Sequence, residues 1–218
     1  WNVIFGAAPG KYVAYTDSDV FFYPGWISAH LKLFDAFPDA ATVTGHPGRR
    51  IPEKYPNTLR MAEASPEISL EVGRFVPQEW CNEHAESLGQ DLDEYVEKSK
   101  DWQDYRFSRN GVHAYANSGH FQFVARTDIL RQVFPLKNFR PIGPNEILFD
   151  EAIDKIDCLR LSTVEKYVDH MGNTLSSKFL EEAKRLNLTM DSTWTPEDDS
   201  SLIKRIARWR LVERILTG

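Results

Sequence analysis

Two carboxylates one residue apart, Asp17 and Asp19, stand where an apolar run must stop. The run Tyr12-Val13-Ala14-Tyr15 is dense in β-favouring residues, and its continuity predicts a strand buried on both faces. A Pro24-Gly25 break closes the segment, and a helical pattern begins at Trp26. In open parallel sheets ligands sit beyond the carboxyl ends of the strands, so a strand-end acid pair is placed for chemistry. Hard carboxylate oxygens suit Mg²⁺ or Mn²⁺, and such an ion bridges readily to phosphate oxygens. The plain alternative is two solvated turn acids in a chain with 32 Asp and Glu residues.

Three later groups fall into order behind this pair. Asp150 and Glu151 are expected to open a helix, a place where acids are also favoured by the macrodipole alone. His170 follows a strand candidate, and a lone His there is otherwise a structural or surface residue. The segment Ser118-Gly119-His120 precedes a strand, where His120 either lines a pocket or packs beneath the sheet. No Ser-His-Asp or Cys-His arrangement suggests a covalent nucleophile.

The elements that must position these groups follow from periodicity. Ile27, Leu31, Phe34 and Phe37 predict an amphipathic helix over 26–37, ended by Pro38. Residues 40–45 read as a short β-branched strand, and 46–56 as a solvated loop carrying Arg49 and Arg50. Gly6 to Gly10 reads as a turn. Pro77-Gln78-Glu79 marks a helix start, Gly89 its end, and 92–98 a further helix. Residues 102–111 read as a charged, aromatic surface loop. Strands are expected over 121–125 and from 160 to 170, with helices over 128–134, 150–156 and 177–186. A basic helix with apolar Leu202, Ile206, Trp209, Val212 and Ile215 closes the chain.

Composition sets the bounds. At 218 residues the chain has room for one large domain or one and a half small ones, and a net charge of −6 gives no support to nucleic acid as a partner. Cys81 and Cys158 are far apart in sequence, with no metal-type spacing, so a reducing, cytoplasmic setting is the simplest fit. No apolar run reaches 18 residues, and the N-terminus lacks a signal-peptide layout. For the basic helix that closes the chain, packing on the domain is the default, with oligomer contact as one alternative and, from Lys204, Arg205, Arg208 and Arg210 beside Trp209, peripheral contact with an anionic membrane surface through 201–217 as the other.

Tyr15-Thr16-Asp17-Ser18-Asp19-Val20, with Pro24-Gly25-Trp26, the later acids Asp150-Glu151 and then His170, resembles the inverting glycosyltransferases of family 2. The resemblance runs from about Lys11 to Asn173. It implies an α/β fold of the GT-A (Rossmann-like) kind, a mixed sheet flanked by helices, with a helical insertion over about 53–112. On this basis 1–175 is a partial catalytic domain and 176–218 a helical extension. The family's first nucleotide-binding units have no counterpart here, and the acid pair reads Asp-Glu in place of Glu-Asp.

What the resemblance implies about chemistry is specific. The donor is a nucleotide-diphospho-sugar, UDP- or GDP-linked, and the acceptor a saccharide or lipid-linked hydroxyl. Asp19, with Asp17 and His170, holds Mg²⁺ or Mn²⁺; Asp17 and Ser18 lie by the donor, Gly119 and His120 by the acceptor. Glu151 takes the place of the general base, with Asp150 and then Asp154 as alternatives. Two rival readings remain: a haloacid-dehalogenase-type phosphatase using Asp17 and Asp150 to Asp154, and a catalytically silent partial domain.

Overall fold

The computed structural model describes residues 1–49, 56–117, 119–137, 145–172 and 177–188. Contacts divide the chain into two compact units, Trp1–Thr174 and Leu175–Gly218. In the second unit the described element is a helix over Ser177–Arg185, with Phe179 and Ala183 buried one turn apart. Residues 201–217, expected as a membrane-contacting helix, lie outside the described residues. Among the described residues no helix is long and apolar enough to cross a membrane.

The first unit is α/β, built on a mixed seven-stranded sheet. Its strands, in chain order, are β1 (Tyr12–Thr16), β3 (Ala40–Thr44), β4 (Ser69–Gly73), β5 (Asp104–Arg109), β6 (Val112–Ala116), β7 (Gln122–Arg126) and β8 (Leu159–Ser162). They lie side by side in the order β1-β7-β3-β8-β6-β5-β4. Only β3 and β8 run parallel; every other neighbouring pair is antiparallel. Two short strands, β2 (Val20–Phe22) and β9 (Val168–His170), form a separate antiparallel pair.

Helices cover both faces. On one face α2 (Trp26–Ala36) and α3 (Pro56–Ala64) pack Leu33, Phe34, Phe37 and Ala62 against Val43, Phe107, Val124 and Leu161. On the other face α1 (Asn2–Ala7), α6 (Thr127–Val133) and α7 (Asn145–Asp154) enclose Phe5, Phe123, Leu130, Phe149 and Ile153. Beyond the sheet α4 (Gln78–Ser87) and α5 (Leu92–Ser99) share a small core of Val76, Cys81 and Tyr115, with Trp80 and Tyr95 against it. Asp91 caps α5 by accepting from the Glu94 N–H at 2.9 Å.

Several expectations are corrected. β1 is an edge strand, half-buried at Tyr12, Val13 and Tyr15 and exposed at Ala14 and Thr16, with β7 as its neighbour in the described sheet. The region 53–112 is not all helical: β4 and β5 extend the sheet by two strands. Residues 102–111 are not a loop, since Asn110 and Gly111, both at positive φ (52° and 75°), form the two-residue turn of a β5–β6 hairpin. The buried stripe of α2 runs through His30, Leu33 and Phe34, leaving Ile27 exposed. Helix α1 continues through Gly6 to Ala7. The stretch 160–170 is two strands in different sheets, split by a bend at 164–165. Helix α7 begins at Asn145, so Asp150 and Glu151 lie in its middle and do not open it.

One buried polar chain ties α2 to the sheet. His30 is fully buried, and its Nδ1 lies 2.6 Å from the Trp26 carbonyl, which can only accept. Nε2 therefore accepts from the Gln122 amide at 3.2 Å, while Gln122 Oε1 accepts from the Gly45 N–H at 2.9 Å. Burial holds the His30 imidazole below its ordinary value of 6.5, against the opposing pull of its two hydrogen bonds. The unfolded chain thus binds a proton that the folded chain refuses, and His30 costs stability as pH falls through about 6.5. Urea-unfolding midpoints measured between about pH 8 and pH 5 should fall more in the parent than in His30→Gln. Equal slopes would remove this assignment.

Candidate functional site

The strand-end acids are held from both directions. The Asp17 N–H bonds the Phe121 carbonyl at 2.8 Å, and Asp17 Oδ1 accepts from the Tyr15 hydroxyl at 2.7 Å. Ser18 is exposed at the turn. Asp19 then enters β2, whose first residue Val20 pairs with His170, the last residue of β9. The Met171 N–H extends this pairing by bonding the Asp19 carbonyl at 2.8 Å. As a result Asp19 Oδ2 lies 3.2 Å from His170 Nε2, with the imidazole 12% exposed. Two residues distant in sequence meet because two three-residue strands pair.

A cleft of about 320 Å³ opens here. Asp17 and His170 line one end. His46, from the segment after β3, and His84 of α4 form an aromatic wall with Phe121; ring centroids lie 4.7 Å apart for His46–His84 and 5.3 Å for His84–Phe121. Gly119 and His120 contribute the floor leading into β7. A Cβ on Gly119 would sit 2.5 Å from Thr44 Oγ1, so only glycine lets this segment cross so close to β3. Glu146, in the first turn of α7, lines the same cleft. Burial pushes the Tyr15 phenol up, and the charges of Asp17 and Glu146 add to that push, which places both acids within electrostatic reach of one ring.

The middle of α7 has a different role. Asp150 Oδ2 lies 2.7 Å from Arg160 Nη1, and Asp150 Oδ1 lies 2.9 Å from His120 Nε2. Asp154 takes Arg160 Nη2 with both oxygens, at 3.0 and 3.1 Å. Arg160 itself is 1% exposed on the central strand β8. Glu151 is exposed, and neither Asp150 nor Glu151 is among the residues lining the cleft. The geometry therefore gathers Asp17, His170, Gly119, His120 and Glu146 around one opening, sets Asp19 beside it through His170, and leaves Glu151 outside it.

Arg49 departs from the solvated loop expected for it. It is buried, bonded to Asp104 at 3.1 Å, Gln78 at 2.6 Å and the Val76 carbonyl at 2.6 Å. Asp104 also accepts from the Phe75 and Val76 N–H groups, so this network pins the start of α4 beside the cleft.

Among the described residues no three His, Cys, Asp or Glu side chains are grouped to hold a metal ion. Asp19 and His170 nevertheless form a partial set. Octahedral ligands at about 2.1 Å from an ion lie roughly 3 Å from one another, so one ion fits both atoms. Mg²⁺ in particular is held by one or two carboxylates, with waters and substrate phosphates completing its shell.

Glu146, His46, His84 and Arg160 were not marked by motif. Two local signals exist: an acid directly behind Pro144-Asn145, and an arginine inside the apolar run Cys158-Leu159-Arg160-Leu161. Comparison with protein-family models, with curated proteins and with solved structures finds no match to this chain.

Proposed function

We propose that the chain carries the catalytic site of a metal-dependent, inverting glycosyltransferase of the GT-A kind, acting on a nucleotide-diphospho-sugar. The observation that carries the proposal is the meeting of Asp19 and His170 at 3.2 Å beside a carboxylate-lined cleft. It joins the resemblance in the wording around Asp17-Ser18-Asp19 to a geometry able to hold a divalent ion.

When bound, Mg²⁺ or Mn²⁺ would offset the charge that grows on the diphosphate leaving group. Asp19 and His170 are the residues that would hold it, with Asp17 nearer the ribose. Glu146 lines the cleft and receives the acceptor's proton as its oxygen bonds to the anomeric carbon and the diphosphate departs. Glu146 replaces Glu151 in this role because Glu151 faces solvent, and Asp150 is engaged by Arg160. The wall of His46, His84 and Phe121 limits water around the sugar. The acceptor is a saccharide or lipid-linked hydroxyl.

The phosphatase reading needs Asp150 or Asp154 beside Asp17. Both are instead drawn to Arg160, and neither lines the cleft.

A panel of UDP- and GDP-sugars, assayed for released nucleotide with Mn²⁺ or with EDTA, tests the proposal. Release from one donor, lost with EDTA and in Asp19→Ala at an unchanged melting temperature, is expected. Metal-independent release, or hydrolysis of p-nitrophenyl phosphate alone, would overturn it.

A further inference from the structure

We propose that Ser87, the last residue of α4, is a positioning residue that fixes the tautomer of His170, so that Nε2 offers its lone pair beside Asp19 for a divalent cation. The proposal rests on the metal-dependent reading above. Ser87 Oγ lies 2.7 Å from the His84 carbonyl and 3.1 Å from His170 Nδ1. A carbonyl only accepts, so the single hydroxyl proton of Ser87 goes to His84. Ser87 Oγ must then accept from His170, and Nδ1 carries the ring proton. In the neutral ring Nε2 is then a lone-pair atom 3.2 Å from a carboxylate oxygen. Two electron-rich atoms at that distance repel, so a positive centre is favoured between them, and a divalent cation there would be held by both.

The surroundings keep this arrangement from relaxing. The His170 ring is packed edge-on by Phe121 at 5.4 Å and His84 at 6.1 Å, which opposes a ring flip. Gly172 has φ +73°, and a Cβ there would lie 2.7 Å from the Ser87 carbonyl oxygen, so the chain leaving β9 runs against the last turn of α4. On the other side Lys166 reaches Glu83 of α4 at 2.6 Å and Asp169 of β9 at 2.9 Å. Helix α4 is thereby locked to the strand that carries His170. Outer-shell hydrogen bonds of this type orient an imidazole and set which nitrogen is free for a metal.

Two measurements test the assignment. Long-range ¹H–¹⁵N correlation spectra of the metal-free chain in mildly alkaline solution report the tautomer, with His170 identified by its loss in His170→Gln. The Nδ1–H form with a bare Nε2 is expected, and a proton on Nε2, in the neutral or the cationic ring, overturns the proposal. This arm requires no change at Ser87, so it decides even where Ser87→Ala does not fold. In the second arm, Mn²⁺ binding is followed by the paramagnetic resonance signal of the free ion, with and without UDP. Ser87→Ala should weaken Mn²⁺ about 10- to 100-fold, and Ser87→Thr should restore most of the affinity. Parent-like affinity in Ser87→Ala, with binding lost in Asp19→Ala, overturns the role of Ser87 alone. Failure of the parent to bind Mn²⁺ in either condition removes the metal-dependent reading and this proposal with it.

Discussion

Glu146→Gln should lower the turnover number for sugar transfer by about 10²- to 10⁴-fold, the usual worth of a positioned general base. The amide keeps the size and hydrogen-bonding reach of the side chain but cannot take a proton, so the KM for donor and the melting temperature should stay close to the parent values. Glu151→Gln is the control, because Glu151 is exposed and is not among the residues lining the cleft. It should leave the rate near that of the parent. Asp150→Asn cannot serve as that control, since Asp150 bridges Arg160 and His120 and its loss disturbs both partners. Steady-state kinetics on Glu146→Gln and Glu151→Gln therefore separate the two candidates. A larger loss in Glu151→Gln would return the base to the middle of α7.

The contrast between these acids shows what residue order can and cannot reveal. The strand and turn that carry Asp17-Ser18-Asp19 were legible because a strand, a turn and a Pro-Gly break are all local signals, whereas the meeting of Asp19 with His170 depends on the long-range pairing of β2 with β9. Asp150 and Glu151 do not open the helix, because strong acids alone do not mark its start. Asn145 and Glu146 start the helix five residues earlier, so the acid that faces the cleft is the one in the first turn. Helical geometry makes such an error consequential: a shift of a few residues turns a side chain to another face. The β5–β6 hairpin was legible in principle, since Asn110-Gly111 between alternating residues is a strong turn signal. It was obscured by the charge of Asp104, Arg106 and Arg109, residues whose partners are supplied by Arg49, Glu71, Asp39 and Glu67 from distant segments. The edge position of β1 and the split of 160–170 into β8 and β9 depend on long-range pairing, which no local pattern encodes.

Arg160 is the residue on which the remaining architecture turns, and Arg160→Met should destabilise the chain by about 3 kcal/mol. The guanidinium is 1% exposed and faces Asp150 at 2.7 Å and Asp154 at 3.0 Å. Removing one side of a buried ion pair costs more than the pair itself contributes, because the partner charges stay behind in a poor solvent. Here two carboxylates, 19% and 22% exposed, would be left facing each other across the space the arginine filled. Burial already pushes the Asp154 carboxyl up despite the pull of Arg160. Without that pull it rises further, so the folded variant holds a proton that the unfolded chain has released, and its stability falls as pH rises through the ordinary carboxylate range of about 4. Urea unfolding of Arg160→Met should accordingly recover on acidification, in a pH range where the parent changes less. Adding Asp150→Asn and Asp154→Asn to Arg160→Met should restore much of the loss at neutral pH, since the excess charge is then gone, and a double-mutant cycle isolates that coupling. If the triple variant is no more stable than Arg160→Met, the cost lies in the volume and packing of the arginine stem between β8 and α7. If it is restored, Asp150 and Asp154 are in the helix to hold α7 onto the sheet, which is what carries Glu146 to the cleft.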